Sequence, residues 1–144
     1  VKEIVKKSLE FSDCVIVTGG EPLMWNMNPL TKALKKHGKK THIETSGAYP
    51  LTGDWDWVCL SPKKAKLPIE DAYNHAHELK IIIYNNHDFK FAEQEAKKVN
   101  KNAILYLQPE WGNREKMMPL MVDFIKKNPK WKISLQTHKY LDIP

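Results

Sequence analysis

Gly19-Gly20-Glu21-Pro22 follows directly on the apolar run Val15-Ile16-Val17-Thr18. A run of that kind ended by two glycines reads as a buried strand that stops where the backbone turns sharply. Glycine tolerates the turn and lets a ligand come close to the main chain. Glu21 then sets a carboxylate at the mouth of the turn, and Pro22 presets the chain for a following turn or helix. A ligand carrying an ammonium group suits such a site. Polar residues close other apolar runs in the same way, at Glu44-Thr45-Ser46-Gly47, Ser61-Pro62-Lys63, Gln108-Pro109 and Gln136-Thr137-His138.

The elements that must position these residues alternate. Val1, Ile4, Val5 and Leu9 have helical spacing and lead into a strand over 14–18. Asn28 is placed to cap a helix through Pro29, Leu30, Ala33 and Leu34, with Gly38 after its end. Strands follow at 42–45 and 57–60, then a lysine- and proline-punctuated segment with a short helix from Glu70 to His75. Leu79 to Tyr84 reads as a buried strand, and Asp88 as the cap of a helix carrying Phe91, Ala92, Ala96 and Val99. A strand at 104–107, a helix over 116–127 with Pro119 in its first turn, and a last strand at 133–135 complete the pattern. The crossovers are long enough for parallel pairing, and parallel α/β folds form their sites at the carboxyl ends of the strands. That is where the unusual polar residues lie.

A length of 144 residues fits one domain, 1–144. The formal charge of +6 comes from lysine, since Arg114 is the only arginine. The lysine pairs read as solvated helix faces, and a single arginine is poor equipment for reading bases, so direct nucleic-acid binding is not expected. No apolar run approaches a membrane span and no signal-peptide pattern appears, which points to a cytoplasmic protein without membrane contact. Cys14 and Cys59 are far apart and form no C-x-x-C, so both read as buried reduced thiols. His75 and His77 do not share a helix face, and no metal site is assigned. Met117, Met118 and Met121 read as core, as do Trp55, Trp57, Trp111 and Trp131; of these Trp111, near the Gln-Pro strand end, is the one best placed to stack on a heterocycle.

Thr18-Gly-Gly-Glu-Pro22, Glu44-Thr-Ser-Gly47, Ser61-Pro-Lys63, Glu78-Leu-Lys80, Leu107-Gln-Pro109 and Leu135-Gln-Thr-His-Lys139 together resemble the radical S-adenosylmethionine superfamily. Within it they resemble the 7-carboxy-7-deazaguanine synthases of queuosine biosynthesis, a tRNA-modification pathway. The Gly-Gly-Glu-Pro turn indicates the superfamily; Ser-Pro-Lys and the Gln-Thr-His-Lys ending make the match specific. A radical activating enzyme acting on a protein glycine would share the turn but not that ending. A non-catalytic basic α/β binding module would show RNA affinity that falls steeply with salt and no affinity for S-adenosylmethionine.

The resemblance implies a partial (β/α) barrel of mostly parallel strands. It also implies a carbon–nitrogen lyase that converts 6-carboxy-5,6,7,8-tetrahydropterin to 7-carboxy-7-deazaguanine with loss of ammonia. The cofactors implied are S-adenosylmethionine, a [4Fe–4S] cluster and Mg²⁺. The family's cluster-binding cysteine motif is absent here, and the magnesium ligand lies beside that motif. The chain, which opens at Val1 inside a helix, therefore reads as a carboxyl-terminal part with its N-terminal portion missing, inactive alone. A barrel short of a strand has an exposed edge, through which a homodimer could form.

Residue by residue, the resemblance gives Gly19, Gly20 and Glu21 the amino group of the cofactor, through backbone oxygen and carboxylate. Glu44, Thr45 and Ser46 meet the cofactor at the next strand end, where Glu44 is equally an exposed residue of an alternating strand; Ser61, Pro62 and Lys63 suit the cofactor's ribose and carboxylate. Gln108 and Pro109 border the adenine, although on the residues alone they are equally a plain strand terminator. Thr18 and His138 face the pterin. The α-carboxylate of Pro144, as natural terminus, would accept hydrogen bonds from the aminopyrimidine edge of that substrate. No residue of this chain is assigned a catalytic role.

Overall fold

A computed structural model describes residues 1–143, so Pro144, an expected substrate contact, lies outside the described residues. The chain divides into two compact units, Val1–His77 and a second that begins at Glu78.

In the first unit, α1 (Lys2–Leu9) buries Val5 against Leu30 and Leu34 of α2 (Asn28–Lys36), with Val15 and Val17 packed on the same cluster. β1 (Cys14–Val17), β2 (Lys40–Thr45) and β3 (Trp57–Leu60) form parallel pairs, with Val17 opposite Ile43 and Thr45 opposite Leu60. A second cluster joins Leu23, Ile43 and Val58. β2 starts two residues before the run its apolar pattern marks, because Lys40 and Thr41 pair with Cys14 and Val15. The short helix α3 (Glu70–His75) has the expected bounds.

Asn28 does not cap α2. The helix begins at Asn28 itself, whose N–H donates to Asn26 Oδ1 at 3.0 Å, while Asn28 Oδ1 accepts from the Gly53 N–H at 3.0 Å. Its side chain ties down the loop before β3 instead.

The second unit has its own parallel set: β4 (Glu78–Ile83), β5 (Ile104–Pro109) and β6 (Trp131–Ile133), with Ile81 opposite Leu107 and Leu107 opposite Ile133. α4 (His87–Ala96) and α5 (Arg114–Lys127) supply the crossovers. Asp88 is no N-cap: it lies inside the first turn of α4, buried, and its Oδ2 accepts from the N–H groups of Tyr84 and Asn85 upstream. Pro119 lies inside α5 past the first turn, where its ring removes the amide that would bond the Glu115 carbonyl; Glu115 is exposed, so water can take that place. β6 starts two residues earlier than expected, at Trp131, because the indole is a core group. It is 1 % exposed, and its Nε1–H donates to Glu93 Oε1 at 2.6 Å. Gln136-Thr137-His138-Lys139 turns into the short helix α6 (Thr137–Tyr140).

Asp56 ties α2 to the sheet of the first unit. Its Oδ2 accepts from the Thr41 N–H at 2.7 Å, and Lys35 pairs with its Oδ1. The Lys35 hydrogen bond, followed by that of the Thr41 amide, holds the carboxyl down at about 2 from an ordinary 3.8, against the opposing pull of burial. A depressed carboxyl stabilises the fold above its unfolded pKa, and that contribution is lost as pH falls through the folded value. Asp56→Asn should therefore lower Tm at neutral pH and flatten the loss of stability between about pH 4 and about pH 2. Thermal melts by circular dichroism across that range check it; an unchanged acid limb would remove Asp56 from the account.

Candidate functional site

Because β1, β2 and β3 run parallel, their carboxyl ends share one edge of the first unit. Thr18, Gly19, Gly20 and Glu21 leave β1 there, Glu44, Thr45 and Ser46 close β2, and Ser61 and Lys63 follow β3. These nine residues line one cavity of about 330 Å³. The register dictates the gathering: Val17 opposite Ile43 brings Thr18 beside Glu44, whose Oε2 accepts from Thr18 Oγ1 at 3.5 Å. Thr45 opposite Leu60 brings Ser46 beside Ser61, and the Ser61 N–H donates to the Thr45 carbonyl at 2.8 Å.

Glu21 sits at the centre of a knot. Its Oε1 accepts from Thr45 Oγ1 at 2.6 Å and from the Leu23 N–H at 3.1 Å. Its Oε2 accepts from the Ser46 N–H at 2.8 Å and from the Ser46 hydroxyl. Thr45 Oγ1 in turn accepts from the Gly47 N–H at 3.0 Å. Burial pushes the Glu21 carboxyl up, but the hydrogen bonds from Ser46, Thr45 and Leu23 outweigh it and leave the group below the usual carboxylate range. It is ionised wherever the protein is folded at neutral pH. The Leu23 bond also starts the 3₁₀ turn Pro22–Met24, for which Pro22 has the right fixed φ.

Three glycines shape the edge, for two reasons. Gly19 and Gly20 have φ of +85° and +56°, and a Cβ on either would meet nothing within 4 Å. Conformation alone calls for glycine there, and the main chain faces open space. Gly47, at φ +72°, is different: a Cβ would come within 2.4 Å of Leu60 Cδ1 and 2.9 Å of Ala72 Cβ. Lys63 stands at the base of a tight turn that Lys66 closes by an antiparallel bridge, with the Lys66 ammonium 3.7 Å from the Tyr49 ring centroid. The set is one for holding and orienting: hydroxyls, glycine main chain, one ammonium and two carboxylates.

Of the other residues singled out in the sequence, Pro62 is buried and does not line this cavity. Gln108 and Pro109 are the last residues of β5 and are buried in the second unit, where Gln108 Oε1 accepts from Ser134 Oγ at 3.1 Å. His138 is exposed on α6, and its carbonyl accepts from the Ile143 N–H at 2.9 Å. The second unit holds its own cavity of about 460 Å³ against Trp111, Lys139, Asp142 and Ile143. Arg114 lies over the Trp111 ring at 4.2 Å and Tyr140 meets it edge-on. Of the lining residues, Lys139, Asp142 and Ile143 had no binding role in the sequence, and Glu44 read equally as a cofactor contact or an exposed strand residue. The signal for Glu44 was its position in register with Thr18, which needs the strand pairing to be read.

No helix among the described residues is long and apolar enough to cross a membrane, and no group of three or more His, Cys, Asp or Glu among them could hold a metal ion. Cys14 opens β1 opposite Lys40, whereas Cys59 lies opposite Glu44, four rows and roughly 13 Å further along the sheet.

No family model matches the chain. Among curated proteins it is 62% identical over 141 residues to the 7-carboxy-7-deazaguanine synthase of Flavobacterium psychrophilum, covering 98% of this chain and 67% of that protein. It is 48% identical over 144 residues to the protein of the same name from Synechocystis, covering 99% and 69%. The solved structure of QueE from Escherichia coli superposes with a TM-score of 0.81 at 25% identity, over 94% of this chain and 61% of that one. The open, parallel α/β architecture expected from the sequence is thus borne out, and the chain spans about two thirds of these relatives' length.

The two kinds of glycine predict different costs. Gly19→Ala should lose about 1–2 kcal/mol, the penalty of a left-handed backbone alone. Gly47→Ala adds overpacking against Leu60 and Ala72 and should lose about 2–5 kcal/mol. Urea unfolding of the two variants measures the difference; equal losses would mean that the Gly47 neighbours give way.

Proposed function

Since the chain belongs to the 7-carboxy-7-deazaguanine synthase family, we propose that the intact protein converts 6-carboxy-5,6,7,8-tetrahydropterin to 7-carboxy-7-deazaguanine with loss of ammonia. The reaction serves queuosine biosynthesis in the cytoplasm. On this reading the cavity of the first unit takes the amino-acid and ribose end of S-adenosylmethionine.

The observation that carries the assignment is the charge of that cavity. S-adenosylmethionine bears an ammonium, a sulfonium and one carboxylate; the strand ends offer two carboxylates, Glu21 and Glu44, and one ammonium, Lys63. Both sets sum to a single charge, of opposite sign. Lys63 is the residue to receive the ligand's carboxylate, as a point charge with reach. The Gly19-Gly20 main chain receives its ammonium, and Ser61 suits the ribose hydroxyls. Thr45 and Ser46 shape the floor between them, Pro62 fixes the chain between Ser61 and Lys63, and Thr18 stands at the side given to the pterin. Gln108, Pro109 and His138 are assigned to the cofactor's adenine and to the substrate by resemblance.

When bound, S-adenosylmethionine supplies the hydrogen-abstracting radical; this chain's residues bind it, orient it and keep water away. The residues do not fit an iron–sulfur cluster. Two thiols on neighbouring regions of the sheet, roughly 13 Å apart along it, cannot supply the closely spaced thiolates a cluster needs. Magnesium likewise finds no ligand set in these residues, and both groups are assigned to the part of the family's chain outside this sequence.

Two outcomes test the reading. An anaerobic assay of the full-length enzyme with 6-carboxytetrahydropterin and S-adenosylmethionine, read by mass spectrometry, should yield 7-carboxy-7-deazaguanine. Lys63→Met should weaken cofactor binding there by about tenfold, the worth of one charge-assisted contact. Wild-type affinity in that variant would take Lys63 out of the site. The 144-residue chain, in contrast, should stay colourless after anaerobic reconstitution with iron and sulfide. A stable brown product would show that Cys14 and Cys59 do hold a cluster.

A further inference from the structure

We propose that Glu21 is a positioning residue: its carboxylate binds Thr45 and Ser46 instead of the ligand, and so holds the Gly19-Gly20 main chain in place as the surface that receives an ammonium group. The proposal rests on the reading that this cavity takes the amino-acid end of S-adenosylmethionine.

An ionised carboxylate offers about four acceptor sites. In Glu21 the donors are already four: the Thr45 hydroxyl, the Leu23 N–H, and the N–H and hydroxyl of Ser46. An ammonium group could be bound directly only by displacing one of them. The loss would reach further than one bond, because Thr45 Oγ1 also accepts from the Gly47 N–H. The carboxylate is therefore committed to the protein.

What that commitment achieves is local. Gly19 and Gly20 are the two most permissive residues in the turn, both at positive φ, with no side chain to pack. Upstream, the link from Thr18 to Glu44 is a long 3.5 Å. Downstream, Glu21 is the next residue, and it fastens the turn to the end of β2 by three donors on Thr45 and Ser46. Without that fastening the glycine pair would sample many conformations, and a ligand would bear the cost of ordering it. The closed knot presents the glycine main chain to the cavity before anything binds.

Positioning and direct contact predict opposite results in one variant. Thr45→Val keeps the volume of the side chain but removes one donor from Glu21. If Glu21 held the ammonium itself, the variant would release a lone pair for it, and affinity would be kept or improved. If Glu21 acts through the glycines, the variant loosens them and affinity for the ammonium falls. The probes are S-adenosylhomocysteine, which carries the amino-acid group, and 5′-methylthioadenosine, which lacks it. Calorimetry on the full-length protein should show Thr45→Val weakening the first by about tenfold while the second stays within about twofold. Ser46→Ala, which removes one hydroxyl donor and leaves the buried Thr45 intact, should act in the same direction and serves if Thr45→Val does not fold. Amide exchange in the peptide spanning Gly19 and Gly20 should quicken in both variants without ligand. Retained or improved S-adenosylhomocysteine affinity would overturn the proposal, as would an equal loss of both probes, which marks general damage. A wild-type protein that does not prefer S-adenosylhomocysteine would sink the cofactor reading itself, even with the exchange result as expected.

Discussion

The first unit depends on one carboxylate. Three parallel strands bring three chain ends to the same edge, but parallel pairing stops at Val17, Thr45 and Leu60 and says nothing about the loops beyond. Glu21 joins two of those ends by accepting from Thr45 and Ser46, and the Ser61 N–H bonded to the Thr45 carbonyl joins the third. Taking even part of a carboxylate out of water is costly unless hydrogen bonds replace the water. Here the donors that satisfy it come from the element it must hold, so satisfying the charge and fixing the turn are the same event. The lowered pKa of Glu21 expresses this balance: burial opposes ionisation and the donors win.

Two features around the knot show how firmly the edge is set. Gly47 can bond Thr45 only because it lacks a Cβ that would strike Leu60. Asp56, far down the same strands, binds the Thr41 amide and Lys35 and so fixes how α2 lies on β2. The helix and the strand ends are therefore both held by ionised carboxylates accepting backbone N–H groups, one at each end of β2. Acid would loosen both, since each carboxyl is depressed relative to its ordinary value.

Most of the scaffold was legible in the sequence, and for a simple reason. Parallel strands tend to be near-continuous apolar runs, and those at 15–17, 57–60 and 81–83 stand out in that way, although no residue of β1 is fully buried and Ile16 is exposed. The strand-end motifs were legible because glycine, proline and polar residues there break the run. Capping was less so. Asn28 and Asp88 have the right type for N-caps, yet Asn28 is the first and Asp88 the second residue of its helix, and each bonds backbone elsewhere. Side-chain amides and carboxylates have several local partners within reach, and which one wins depends on loops whose path the sequence does not fix. The start of β6 was misplaced for a different cause: the strand is short, and what anchors it is the Trp131 indole bonded to Glu93, a contact between residues far apart in sequence.

The same limit applies to Glu21. Sequence alone marks it as a carboxylate at a turn beside glycines, and an ammonium ligand is the natural partner to imagine. The strand register changes that choice, because it delivers two hydroxyls and an N–H to the carboxylate before any ligand arrives. A motif residue can thus be indispensable to binding without touching what is bound. On the proposed reading, the glycines offer the contact and Glu21 gives them a shape to offer. The chemistry of the Gly-Gly-Glu-Pro turn is in that sense divided between neighbours: freedom in Gly19 and Gly20, and the charge that restricts this freedom in Glu21. The two halves complement each other: the positive φ of both glycines makes the turn, and the carboxylate beside them ties it to Thr45 and Ser46.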